Sequence, residues 1–325
     1  MTEVRKHIIE AQEVGLRLDR VLTQKYSDLS RTRIKSLIDQ HKILIEGKVC
    51  LPSSKLKEND EIIITIEPAI DALPKPQSIP LDVVYEDQDV IVINKPAGMV
   101  VHPAPGNYDQ TLVNALLAHC EGSLSGISGV KRPGIVHRLD KGTSGLLVAA
   151  KHDKAHQGLA AQFAERDLKR HYFALIWGVL NPFEGLIEGN IGRSPRNRQK
   201  MALLKQGGKE ARTHYTILET YGRFASLVGC ELETGRTHQI RVHLASKGHG
   251  IIGDPLYGRL PKGYADIVQK MKNLTEQNTR PLLHAHSLLF IHPRTQQEMM
   301  FECELPDDFK EAVSTLKQSI ETHIL

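Results

Sequence analysis

Four prolines between residues 68 and 80 (Pro68, Pro74, Pro76 and Pro80) constrain this chain more than any other feature. A proline fixes its own φ and removes a backbone donor, so neither a helix nor an inner strand runs through such a stretch. Dense prolines also stiffen the chain. We read residues 68–80 as a linker between two domains, and a chain of 325 residues can build both cores.

The region ahead of the linker reads as a charged tail, residues 1–15, and a compact unit, residues 16–67. In that unit Leu18, Val21 and Leu22 recur at helical spacing from Arg17 to Gln24. Ser30 is placed to cap a second helix, Arg31 to Gln40, with Ile34, Leu37 and Ile38 on one face. Ile43-Leu44-Ile45, a turn at Glu46-Gly47-Lys48 and the β-branched run Glu61 to Glu67 predict a small sheet.

After the linker, residues 81–325 read as the second domain. Strands are expected at Val83–Tyr85, Val90–Ile93, Leu146–Ala150, Tyr172–Trp177, Arg212–Leu218 and Phe224–Leu232. Helices are expected at Thr111–His119, Ala155–Glu165 and Gln239–Lys247, the last closed by Gly248. Strands and helices mixed without a βαβ rhythm predict an α+β fold with a largely antiparallel sheet.

Composition excludes several classes. No segment holds the roughly 18 continuous apolar residues of a membrane helix. The charged start, Met1 to Glu10, lacks the apolar core of a secretory signal, so a cytoplasmic protein is expected. Cys50, Cys120, Cys230 and Cys303 are far apart, which argues against a zinc ribbon or a disulfide framework. No Gly-x-Gly-x-x-Gly or Walker pattern is present.

Charge placement says more than the net value of +4. Arg17 to Lys48 holds eight Lys/Arg against four Asp/Glu, and the Arg193–Arg212 loop holds seven against one. Two such clusters on a balanced chain predict a polyanion partner. The competing explanation is two solvated faces.

Chemistry concentrates in a few blocks. In Gly134-Ile135-Val136-His137-Arg138-Leu139-Asp140-Lys141-Gly142-Thr143-Ser144-Gly145, Asp140 lies between apolar segments. A sheltered carboxylate needs a cation or hydrogen-bond donors to stay ionised, and once ionised it can act as nucleophile or base. Glu233-Thr234-Gly235-Arg236-Thr237-His238-Gln239-Ile240-Arg241-Val242-His243 offers that cation in Arg241, near the start of the expected helix. The strand-to-turn block Ile93 to Pro103 suits a cleft wall. In Lys169-Arg170-His171-Tyr172 a tyrosine follows three basic residues and can stack on a base. Plainer explanations stand beside these. Asp140 can serve as a turn residue, and Tyr172 as an ordinary strand aromatic. His238, His243, His284 and His286 lack acid or cysteine partners at metal-site spacing, so core or capping roles suit them better.

The block His137 to Gly145 and the block Gly235 to Arg241 resemble the two signature motifs of the RluA-type pseudouridine synthases. Residues 16–66 resemble an S4-type RNA-binding domain, and Leu283-His284-Ala285-His286-Ser287-Leu288 and Ile79 to Asp87 also resemble the family. The resemblance covers nearly the whole chain; Gly142 departs from it where acidic or polar residues are common. It implies the pseudouridine synthase fold, a mixed, largely antiparallel sheet with flanking helices, preceded by a small α+β S4-like domain.

It also implies an isomerase that needs no cofactor and no metal. Asp140 would be the catalytic carboxylate, Arg241 its partner and Tyr172 the contact to uracil. Arg138 would fill the stack where the uridine has flipped out, beside His137, and Ile240 would press on the flipped base. Arg17, Arg20, Arg31, Arg33 and Lys35 would contact RNA from the S4-like unit. Within the family the similarity points to large-subunit (23S) rRNA, in the helix 69 stem-loop, as free RNA or an assembled particle, and to a monomer. Alternatives are a sibling acting on other rRNA or tRNA uridines, a non-catalytic RNA-binding protein, and a nucleoside hydrolase. The hydrolase would need paired carboxylates, and no second acid is placed like Asp140.

Overall fold

The computed structural model describes residues 3–324 apart from 27, 67–73, 105, 121–122, 128–131, 198, 262–264 and 277–278. The chain forms two compact units, residues 1–71 and 72–325. The first part of the expected linker lies outside the described residues. Residues 74–80 have no regular structure and are tied to the second unit, where Gln77 N donates to Asn114 O at 2.9 Å.

The first unit contains β1 (Glu3–Ile8), α1 (Leu18–Lys25), α2 (Arg31–Asp39), β2 (Ile43–Ile45), β3 (Lys48–Val49) and β4 (Glu61–Ile66). Its sheet has the order β1-β4-β2-β3 and is antiparallel throughout. Ser30 caps α2 as expected, accepting the Arg33 N–H at 3.2 Å. Ile34, Leu37 and Ile38 then pack against Leu18 and Leu22 of α1 and Ile62 and Ile64 of β4. One expectation fails. The supposed tail supplies β1, paired with β4 along its whole length. Its Val4 and Ile8 face outward and His7 inward, so the usual apolar-inside alternation is inverted. Backbone pairing, with Ile9 packed beyond the strand, holds it in place.

The second unit is one ten-stranded sheet with helices. In chain order it holds β5 (Val83–Glu86), β6 (Val90–Lys95), α3 (Leu112–His119), β7 (Ser144–Ala150), α4 (Asp153–Glu165), β8 (Lys169–Trp177), β9 (Glu184–Arg193), β10 (Met201–Leu204) and β11 (Lys209–Tyr221). It continues with β12 (Ala225–Leu232), α5 (Gln239–Ser246), α6 (Ala265–Glu276), β13 (Leu283–Ile291), β14 (Glu298–Glu302) and α7 (Asp307–Ile324). The strand order is β10-β9-β11-β12-β8-β13-β7-β6-β5, with β14 on β13. Only the β13–β7 pair is parallel among the described strands.

The centre of this sheet is buried on both faces. Ile91, Ile93, Leu147 and Ala149 join the core shared with α3, α5, α6 and α7, while Val90, Val92, Leu146 and Val148 face α4. That explains the unbroken apolar runs of β6 and β7, since a strand covered on both sides has no polar face. Gly145 is required where β7 meets β13: at φ +109°, a Cβ there would lie 2.3 Å from Ala285 O. The expected Arg193–Arg212 loop is largely a ribbon, because Met201–Leu204 pairs back onto Asn190–Arg193. No helix among the described residues is long and apolar enough to cross a membrane.

Candidate active site

Asp140 ends the loop that leads into β7, where a turn closes as Thr143 N donates to Asp140 O at 3.0 Å. The turn role anticipated for Asp140 is therefore real for its backbone. Its side chain does something else. Arg241, in the first turn of α5, donates from Nη1 to Asp140 Oδ2 at 3.0 Å. Residues 101 positions apart thus meet as a charge-assisted pair. Oδ1 has no hydrogen-bond partner among the described residues.

Arg241 is itself held from behind. Its Nε and Nη2 donate to Asp254 Oδ2 and Oδ1 at 2.7 and 2.9 Å, a bidentate fork with a wholly buried carboxylate. Tyr257 lies over the guanidinium, its ring centre 5.1 Å away. Burial works against the charge on Arg241, but the two carboxylates outweigh it and raise its pKa above the ordinary arginine value. The start of α5 is pinned by Gln239, which bonds Arg212 O, Thr213 Oγ1 and Thr234 Oγ1.

His238 departs from the expected core or capping role. It occupies the N-cap position of α5 but makes no cap bond, because its backbone takes φ +58° and turns the imidazole into the cleft. Nε2 lies 3.8 Å from Asp140 Oδ2, and Nδ1 lies 2.8 Å from the Tyr257 hydroxyl. That hydroxyl already accepts the Met201 N–H at 2.7 Å, so its own proton is free for Nδ1. On this assignment the imidazole proton sits on Nε2, towards Asp140. Burial lowers the His238 pKa, with Asp140 opposing the shift. Met201 belongs to β10, so the basic ribbon is tied to the site through Tyr257. The other histidines fit the core expectation: His243 bonds Thr213, His284 bonds Ser144, and His286 bonds the Cys303 carbonyl.

The pair opens onto a cleft of about 520 Å³ lined by His102, His137, Arg138, Tyr172 and Ile240, with Arg132, Arg170 and Arg236. Tyr172 and Ile240 are buried, and Arg138 is exposed. Burial raises the Tyr172 pKa. His137 is not free to read a base: its Nε2 accepts the Val148 N–H at 3.1 Å and its ring packs on Phe163 at 4.8 Å. Burial pushes it down to about 3, so it is neutral.

Lys95, 0 % exposed, supports the floor. Its Nζ donates to Pro96 O and Met99 O at 2.7 and 3.0 Å, and the turn so fixed donates from Gly98 N to Lys141 O, next to Asp140. Burial drives Lys95 down to about 7, with Asp140 opposing the shift. Below pH 7 the folded and unfolded chains both hold this proton, and the full cost of the buried charge is present. Between about 7 and 10.5 only the unfolded chain holds it, so stability rises with pH. We expect Lys95→Met to flatten that rise. Urea denaturation from pH 6.5 to 10 should show the wild-type-minus-variant stability climbing by a few kcal/mol, on the order set by linkage. Parallel curves would remove Lys95 as the titrating group.

In the first unit, Arg17 and Arg31 both bond the buried Asp19, at 3.0 Å each, and hold its carboxyl down at about 2. Arg17, Arg20, Arg31 and Lys35 are exposed, and Arg33 is half-buried.

Comparison with known proteins gives a consistent picture. Residues 89–246 match the sequence family described as RNA pseudouridylate synthase, and residues 16–62 match the S4 domain. The chain is 49% identical over 300 residues to the ribosomal large subunit pseudouridine synthase D of Zymomonas mobilis, covering 91% of this chain and 92% of that one. It is 43% identical to an uncharacterized RNA pseudouridine synthase, YlyB, of Bacillus subtilis, covering 93% and 95%. Human RNA pseudouridylate synthase domain containing 4 shares the fold, with a TM-score of 0.56 at 24% identity over 72% of this chain and 92% of that one.

Proposed function

The chain belongs to the RNA pseudouridylate synthase family, and we propose on that premise that it isomerises uridine to pseudouridine in large-subunit ribosomal RNA, with Asp140 as the catalytic carboxylate. The observation that carries this reading is the Asp140–Arg241–Asp254 array at the floor of a cleft with basic walls. The reaction breaks the N1–C1′ bond, turns the uracil and joins C5 to C1′. The proton lost from C5 is balanced by one gained at N1. Uracil is both leaving group and returning nucleophile, so the carboxylate alone can supply the chemistry.

The target base must leave its helix, at a cost of a few kcal/mol. Arg138, exposed at the cleft, would fill the gap, while Tyr172 and Ile240, which line it, would receive the flipped base. With Oδ2 engaged by Arg241, Oδ1 is the oxygen left for substrate. It can add to C1′, add to C6 of uracil, or take the C2′ proton, and each route needs the ionised form. A hydrolase would need a second working acid. Asp254 is the nearby candidate, but it is wholly buried and both its oxygens are spent on Arg241. The S4 unit would supply phosphate contacts that orient the RNA, through Arg20, Lys35 and the outer faces of Arg17 and Arg31.

The test is a map of pseudouridines in rRNA from cells lacking the gene. Carbodiimide-dependent primer-extension stops should vanish in the helix 69 loop and return with the wild-type gene. Stops lost at other sites would move the target within the same chemistry. Unchanged stops in all rRNA and tRNA would leave only an RNA-binding protein.

A further inference from the structure

Among the described residues of the second unit three arginines are buried, and two have a carboxylate: Arg241 has Asp254 and Asp140, and Arg280 has Asp308. Arg170 is 8 % exposed and pairs with no carboxylate among the described residues. Its Nε has no hydrogen-bond partner among them either. The guanidinium rests on the Phe163 ring, 5.2 Å from its centre, and its free edge lines the cleft. His137 beside it is neutral and adds no second positive charge. A buried cation without a counter-ion is costly, and the protein keeps one here in the wall of the cleft.

We propose that Arg170 is the seat for one RNA phosphate, that of the nucleotide whose base meets Tyr172. This rests on the RNA-modifying reading above. Arg170 and Tyr172 are two residues apart on β8 and both buried, so they project from the same face about 7 Å apart along the strand. That is the scale of the reach from a base to its own phosphate. The planar fork suits phosphate oxygens. Gly235 leaves room for the guanidinium, since a Cβ there would lie 3.0 Å from Arg170 Nη1. The seat also accounts for the buried charge: Arg138, Arg132 and Arg236 at the cleft can meet RNA from solvent, whereas Arg170 meets only what has entered.

The experiment measures binding of a short hairpin RNA with loop uridines, in the Asp140→Asn background so that turnover does not intrude. Single methylphosphonates replace the phosphates in turn. One linkage should cost about 10-fold in affinity with Arg170 present and less than about 2-fold after Arg170→Gln, as removal of one charge-assisted contact requires. The salt slope should fall by about 0.7, one phosphate contact on a single strand. Should Arg170→Gln not fold, Arg170→Lys decides: a point charge at the same place should keep a weakened penalty at that one linkage. Equal penalties with and without Arg170, as a bond to a uracil carbonyl would give, overturn the proposal. Wild-type pseudouridine formation in the same hairpin is scored separately. Coupling without product would leave the seat standing and overturn the synthase reading. No binding of the hairpin would overturn both.

Discussion

Asp140→Asn should abolish pseudouridine formation, lowering the single-turnover rate on the order of 10⁴-fold or more, while RNA affinity stays within a few-fold of wild type. The substitution keeps the shape of the side chain and removes its charge. Arg241 would not collapse, because Asp254 and not Asp140 provides its bidentate anchor. The basic walls of the cleft would be untouched. Loss of activity can then be assigned to the missing carboxylate and not to a rearranged site. Tritium release from RNA labelled at uridine C5 reads the chemistry, and filter binding with thermal melting reads the rest. Turnover within tenfold of wild type would remove Asp140 from all three routes at once.

Much of this fold is legible in the sequence because local rules and global fold agree. Ser30 predicts a cap and provides one, and Gly248 follows α5 with φ +87°. The runs Val90–Ile93 and Leu146–Ala150 predict strands and lie at the centre of the sheet. What escapes reading is what depends on pairing across distance. β1 inverts the alternation, and β10 is hidden in a run of basic residues that reads as a loop. The strands at Leu283–Ile291 and Glu298–Glu302 and the helices α6 and α7 are absent from the elements expected of the sequence.

The site divides the same way. Asp140, Arg241 and Tyr172 stand in dense motif blocks and are found together in the cleft. Asp254 lies in Gly253-Asp254-Pro255, outside every motif block, and only the closed fold shows that it faces Arg241. His238 reads as a cap until its positive φ is seen. Lys95 and Arg170 escape because a sequence carries no reason to expect a buried cation.

Asp254→Asn should be the most destabilising single change at this site, by about 3–5 kcal/mol, since it leaves a buried guanidinium short of its counter-charge. It also weakens the acceptor for the Leu256 and Tyr257 N–H groups, which fixes the loop carrying Tyr257. Activity should fall too, by roughly 10²-fold, because an unanchored Arg241 no longer holds Asp140 in one orientation. The two effects can be separated. Replacing both members together, Arg241→Met with Asp254→Leu, removes the unpaired charge and should recover most of the lost stability, as apolar substitutes for buried pairs often do. It should recover no activity, because Asp140 then has no cation. Urea denaturation and single-turnover rates on the wild type, the single variant and the double variant read both quantities. A wild-type melt for Asp254→Asn would mean the fork contributes nothing to the fold. Activity returning in the double variant would mean that Asp140 works without Arg241, and the catalytic part of the array would reduce to the carboxylate alone.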